Sequence, residues 1–434
     1  MLPRPIPGSK PRVLGGWIVA WQSPLGTLVA MWTLFLLMTL LGPGGAGPSQ
    51  ADSTPKVELE SAAGVIQRLP LQGLELSDPR EKGAVFVRFV DLPGAKSTPE
   101  QPLVPGHPLR LQFVGGGSLS GFLAGGTAEQ LELALPGGSR CSLGIDQISS
   151  FQLPEALSGQ DGLPVAPEEG DRLYLVRGRG LDRLDGLTVG FSSEGLLFEG
   201  PLGERLHPWK EVAALYIEAL SAPEESSPTP GVVEASITTR TGGAFNAQLL
   251  GITEAGLSLR LGTDEFLLLP QDVAELAVQD SSYGFLSNLK PTDLGPLNPF
   301  DTEEVIGQSW PMRANQAVGG GPLQVGGRLF HLGLGVHAPS RITWNLAGEW
   351  NRLRTRIGVD DSAGRGSRGG TVRFRVLVDG ELRYESGEVR VGSPALVVPP
   401  VDLVGAKELV LEVDPLDDWV LDRADWLRPI LLKE

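Results

Sequence analysis

Between Val57 and Asp280 the chain shows no helical periodicity of useful length, and its apolar residues recur in short alternating runs cut by glycine and proline. Alternation at a period of two places successive side chains on opposite faces, the pattern of a half-buried strand. The same pattern continues to the C-terminus. Thr371-Val-Arg-Phe-Arg-Val-Leu-Val378 puts Val372, Phe374 and Val376 on one face and Arg373 and Arg375 on the other, and Asp379-Gly380 then supplies a hairpin turn. Arg341-Ile-Thr-Trp-Asn-Leu346 likewise aligns Ile342, Trp344 and Leu346. The 58 glycines and 36 prolines follow no Gly-X-Y period, which excludes collagen and fits short strands joined by tight turns. An all-β chain of 434 residues is too long for one small domain.

Three segments share a plan of strand, turn, strand, turn, strand and a closing apolar residue. The first runs through Leu109-Arg-Leu-Gln-Phe and Leu131-Glu-Leu-Ala-Leu to Ile148, the second through Asp171-Arg-Leu-Tyr-Leu-Val to Val212, and the third through Ala235-Ser-Ile-Thr-Thr to Val273. Closing residues at steps of roughly 60 residues are a repeat signature. Units this short bury their apolar faces best by curling into small barrels, and they resemble the SH3-like or Sm-like barrels repeated in some bacterial surface proteins. The expected units are 105–155, 168–220 and 231–280, with proline- and acid-rich connectors at 154–171 and 222–230. Residues 52–104 are strand-rich and read as a divergent first unit or as added strands. His107 and His207 each precede proline and read as ordinary loop histidines; Trp209, at a strand entry, reads as core.

Residues 1–51 begin with Arg4, Lys10 and Arg12, continue into the uncharged run Leu25–Leu41 and end in small residues. Basic, apolar, then small is the order of an export signal. The run is slightly short of the roughly 20 residues that span a bilayer, so it reads as an N-terminal hydrophobic helix that is either a cleaved signal or a retained membrane anchor. Cys141 is the single cysteine, so there is no intramolecular disulfide, and it reads as a small buried hydrophobe. A net charge of −16 repels phosphate backbones and argues against a nucleic-acid partner.

Residues 281–434 carry an ordered series of motifs: Tyr283-Gly-Phe-Leu-Ser-Asn-Leu289, Trp310, Gly320-Gly-Pro-Leu-Gln-Val-Gly-Gly327, Arg328-Leu-Phe-His-Leu-Gly-Leu-Gly-Val-His-Ala-Pro-Ser340, Gly358-Val-Asp-Asp361 and Ala424-Asp-Trp426. This series resembles the NPCBM family, a carbohydrate-binding module found attached to some glycoside hydrolases. The resemblance implies an antiparallel, galactose-binding-like β-sandwich that holds a glycan or polysaccharide. The loops at 362–370 and 414–423 depart from the family pattern.

A pyranose offers an apolar C–H face to an aromatic ring and a rim of hydroxyls to His, Asn, Arg or Asp. Trp344 and Trp426 read as core, and Trp350 is undecided. The carbohydrate-binding candidates are Trp310, Arg313, Asn315, His337 and Trp419. Asp360 and Asp361, adjacent at a strand end, read either as ligands of a structural calcium, which the fold family often carries, or as a capped turn accepting backbone N–H groups. No catalytic set is legible, and no segment outside the recognised units is long enough for a glycosidase cleft. The expected function is an exported, non-catalytic glycan binder. The alternatives are a structural surface protein whose sandwich binds another protein, or an accessory subunit of a glycoside hydrolase.

Overall fold

The computed structural model describes residues 54–93, 107–160, 164–218, 232–294, 310–364, 370–416 and 421–433. The expected N-terminal helix and Trp419 lie outside the described residues. Among the described residues no helix is long and apolar enough to cross a membrane. The chain is almost entirely β.

Three five-stranded antiparallel barrels follow one another. Their first strands are His107–Phe113, Asp171–Arg177 and Val233–Thr239, and their last are Ile148–Gln152, Val212–Tyr216 and Val273–Val278. Each first strand pairs with its own last strand, through Leu111↔Phe151, Leu173↔Leu215 and Ile237↔Leu276. The register slips at the same place in each seam, just before Phe113↔Ile148, Leu175↔Val212 and Thr239↔Val273. The recurring Ile148, Val212 and Val273 are therefore the residues that resume the seam, and all three are buried. The long second strands, Gly117–Gly126, Gly180–Phe191 and Ala244–Thr253, each bulge just before Gly125, Gly190 and Gly251. A bulge bends a strand so that it can serve both sides of a small barrel. At Gly190 a Cβ would lie 2.6 Å from the Ala128 backbone, so only glycine fits there.

The first and second barrels join through their last strands (Leu215↔Phe151) and a cluster of Phe151, Phe191 and Trp209 rings. Trp209 is core, its Nε1 donating to the Ser192 carbonyl at 2.9 Å. The first and third barrels join through their fourth strands, Leu267↔Arg140, and through Asp272, whose carboxylate accepts from Gly137 N, Ser139 N and Ser139 Oγ. Cys141 is buried in this core, and burial pushes its thiol up to about 12.

The strands of residues 54–93 are additions rather than another barrel. Lys56–Ser61 pairs with Ile66–Pro70 and with Ala84–Val90, and Ala84–Val90 extends the third barrel through Leu276↔Val87.

The C-terminal sandwich packs two antiparallel sheets face to face. One contains Gly333–His337, Arg423–Leu432 and Arg352–Val359; the other contains Ser340–Asn345, Glu408–Pro415, Thr371–Val378 and Glu381–Glu385. Trp344, Phe374 and Trp426 fill the space between them, with Phe374 edge-on to Trp426 at 5.0 Å. Trp350 is half-buried at the edge, where Lys433 lies 5.0 Å over its ring. On the outer side of the first sheet the hairpin Leu323–Val325 and Arg328–Phe330 encloses a smaller core with Ala317 and Leu427. Val85, Phe86, Ala277, Phe285, Leu332, Ile430 and Leu432 form the apolar seam between sandwich and barrel strands.

Candidate functional site

His337 closes the strand Gly333–His337 and stands directly opposite Arg423 in the neighbouring strand. Opposite residues of an antiparallel pair project from the same face, so pairing alone brings imidazole and guanidinium together. Trp310 completes the group. Its ring stacks on His337 with centroids 5.3 Å apart and planes 20° apart, and the Arg423 guanidinium carbon lies 5.5 Å from its centroid. Arg423 is steadied by donating from Nη1 to the Ser362 carbonyl at 3.1 Å and to Ser362 Oγ at 3.3 Å. His337 is buried; its Nδ1 donates to the Ala338 carbonyl at 2.7 Å, which leaves Nε2 as an acceptor. Burial lowers the His337 pKa, and the Arg423 charge lowers it further against the opposing effect of the Ala338 bond. The imidazole is therefore neutral at pH 7. Trp310 keeps part of its surface in solvent.

The arrangement offers a partly exposed aromatic plane, a forked cationic donor and a neutral nitrogen acceptor. This set can receive the apolar face of a ring and its flanking hydroxyls.

The other sequence candidates take different roles. Arg313 is exposed on the edge strand paired with Gly335, and its Nε donates to the Val318 carbonyl at 3.0 Å. Asn315 is a turn residue. Its φ is 58°, its N–H donates to the Gly333 carbonyl at 2.8 Å, and its Oδ1 accepts from Gly333 N at 3.1 Å. Its side-chain oxygen thus holds the start of the His337 strand.

Asp360 and Asp361 form a capped turn. Asp360 accepts from Ser362 N at 2.9 Å and from Gln324 N at 3.0 Å; Asp361 accepts from Gly326 N at 3.1 Å and Gly327 N at 2.8 Å. All four oxygens face backbone donors, and among the described residues no group of three His, Cys, Asp or Glu side chains is gathered as for a metal ion. Their work is to clamp the outer hairpin to the sandwich. Asp425 is fully buried near Asp360, and burial first and the Asp360 charge second raise its pKa well above 3.8.

Arg423 was not among the sequence candidates. It opens the strand Arg423–Leu432, and its place in the site follows from the strand register.

Residues 294–432 match the NPCBM/NEW2 domain. Alpha-1,3-galactosidase B of Akkermansia muciniphila is 32% identical over 118 residues, 26% of this chain and 14% of that protein, so the chain spans a small part of this curated relative. The CBM51 module of Clostridium perfringens GH95, solved with methyl-galactose, is 20% identical and covers 34% of this chain and 99% of that structure, with a TM-score of 0.29. The CBM51-2 and INT domains of Clostridium perfringens ZmpB, solved with GlcNAc, are 23% identical and cover 46% of this chain and 37% of that structure, with a TM-score of 0.30. The tandem CBM51 modules of Sp3GH98 from Streptococcus pneumoniae are 16% identical and cover 47% of this chain and 72% of that structure, with a TM-score of 0.30.

Proposed function

With residues 294–432 an NPCBM domain, we propose that this chain is an exported, non-catalytic glycan-binding protein that holds a saccharide on Trp310, His337 and Arg423. The domain match supports a carbohydrate partner, and the basic, apolar, small order of residues 1–51 supports export. The observation that carries the reading is the stacked Trp310–His337 pair with Arg423 beside it.

A pyranose laid against the solvent-exposed part of Trp310 desolvates two apolar surfaces. A ring hydroxyl then donates to Nε2 of His337, and another accepts from Arg423. Arg313, exposed on the neighbouring edge strand, would donate to a longer chain. No bond of the sugar is made or broken in this scheme, and the barrels serve as the platform that presents the domain.

Affinity electrophoresis of residues 52–434 through gels carrying different polysaccharides tests the proposal. The barrels are kept because the sandwich is bonded to them through Arg428. Retardation by at least one polysaccharide, lost in Trp310→Ala, is the expected result. Free mobility in every gel would end the glycan reading, and turnover of a chromogenic glycoside by the pure protein would end the non-catalytic one.

A further inference from the structure

Where the sandwich meets the barrel strands, cations outnumber anions. Arg428 is 3% exposed and donates to Glu60 and to Glu275, with its guanidinium 4.2 Å from the centre of the Phe86 ring. Arg356 also donates to Glu60, at 3.0 Å, and Arg88 Nε lies 3.9 Å from the Glu275 oxygen that Arg428 uses. Both carboxylates are thus already shared between arginines, with Oε1 of Glu275 left buried and unbonded.

Arg328 enters the same seam from the outer hairpin, 5.1 Å over the ring of Phe330, a ring that also lies 5.8 Å from Arg428. Among the described residues it forms no ion pair, and its Nε and Nη2 are shielded from solvent without an acceptor, as is Nε of the buried Arg428. Burial first, then the charges of Arg88, Arg428 and Arg356, lower its pKa to about 10. It therefore remains charged at pH 7. A dehydrated guanidinium with unmatched donors is costly unless an anion completes it. Part of Arg328 is still open to solvent, so the position is reachable.

We propose that Arg328, with Arg428 and Arg88 beside it, holds an oxyanion of the sulfate, phosphate or carboxylate type at this seam. The planar fork of arginine matches two oxygens of such a group at once, which an ammonium cannot do. The anion is either free in solution or carried by a glycan as a substituent. The site uses neither Trp310 nor His337, so it stands or falls separately from the saccharide site.

The test is thermal unfolding of residues 52–434 titrated with sodium sulfate against sodium chloride at matched ionic strength, for the parent, Arg328→Met and Arg328→Lys. The expected result is a saturable rise in Tm at low millimolar sulfate, lost in Arg328→Met and reduced in Arg328→Lys. General exclusion of sulfate from protein surfaces raises Tm without saturating and equally in all three proteins. That outcome, an adventitious ion only, would overturn the proposal. If Arg328→Met fails to fold, the comparison of parent with Arg328→Lys decides. Gels carrying a sulfated polysaccharide and its desulfated form separate the two sources. A glycan-borne anion makes Arg328→Met migrate faster than the parent only in the sulfated gel, whereas a free anion leaves the variants alike in both gels and still gives the Tm response.

Discussion

Arg428, in the last strand of the sandwich, donates through Nη2 to Glu275, in the last strand of the third barrel. Their exposures are 3% and 1%, so the pair is removed from water along with Glu60. A buried pair adds little net stability over an apolar replacement, but removing one partner strands the other charge. Glu275→Ala is therefore expected to cost about 3–5 kcal/mol in urea unfolding. A loss below about 1 kcal/mol would show that water reaches the seam and screens the charges.

Trp310 is half-exposed, and its main contacts are His337 and Arg423, neither of which it holds in place by a hydrogen bond of its own. His337 is fixed by the Ala338 carbonyl and Arg423 by Ser362. Trp310→Ala should accordingly change stability by no more than about 1 kcal/mol. It should weaken glycan retention by about tenfold or more, which is about 1.4 kcal/mol. Equal retention of parent and variant would take the ring out of the site.

Asp361 accepts from two consecutive amides, Gly326 and Gly327, at the tip of the outer hairpin. Hydrogen bonds to a charged acceptor contribute about 1.5–3 kcal/mol each, less where water competes. Asp361→Ala should destabilise the domain by about 1–3 kcal/mol and raise amide exchange at Gly326 and Gly327 first. Because these oxygens face amides, a chelator should leave Tm unchanged. A fall in Tm with EDTA, reversed by calcium, would instead make the pair cation ligands.

Strand periodicity made the inward positions legible: Val372, Phe374, Val376, Ile342 and Trp344 are all buried because alternation fixes which face meets the opposing sheet. The recurring Ile148, Val212 and Val273 were legible because a closed seam needs an apolar residue where the register slips. Arg423 was not, since a single arginine at a strand start has no period, and only its register with His337 assigns it. The position of Ala84–Val90 on the third barrel and the reach of Arg428 to Glu60 and Glu275 depend on long-range pairing, which local pattern cannot report. Asn315 read as a carbohydrate-binding candidate because its left-handed backbone, at φ 58°, leaves no mark in composition.

Asp425 lies in the strand Arg423–Leu432 between Gly335 and Gly358, fully buried, with Asp360 as its charged neighbour. Burial and that like charge both favour its protonated form, so its folded-state pKa stands well above the 3.8 of an ordinary aspartate. A carboxyl of this kind binds its proton more tightly in the folded chain than in the unfolded one. Its contribution to stability is complete below pH 3.8 and is lost as the pH rises through the raised folded value. Asp425→Asn replaces the protonated acid with a neutral group of the same shape that can still donate towards Asp360. The variant should match the parent near pH 4 and become the more stable of the two by neutral pH, with unfolding free energy measured in urea at each pH. Parallel pH curves for parent and variant would show that Asp425 ionises normally, and would require a donor or cation beside its carboxylate.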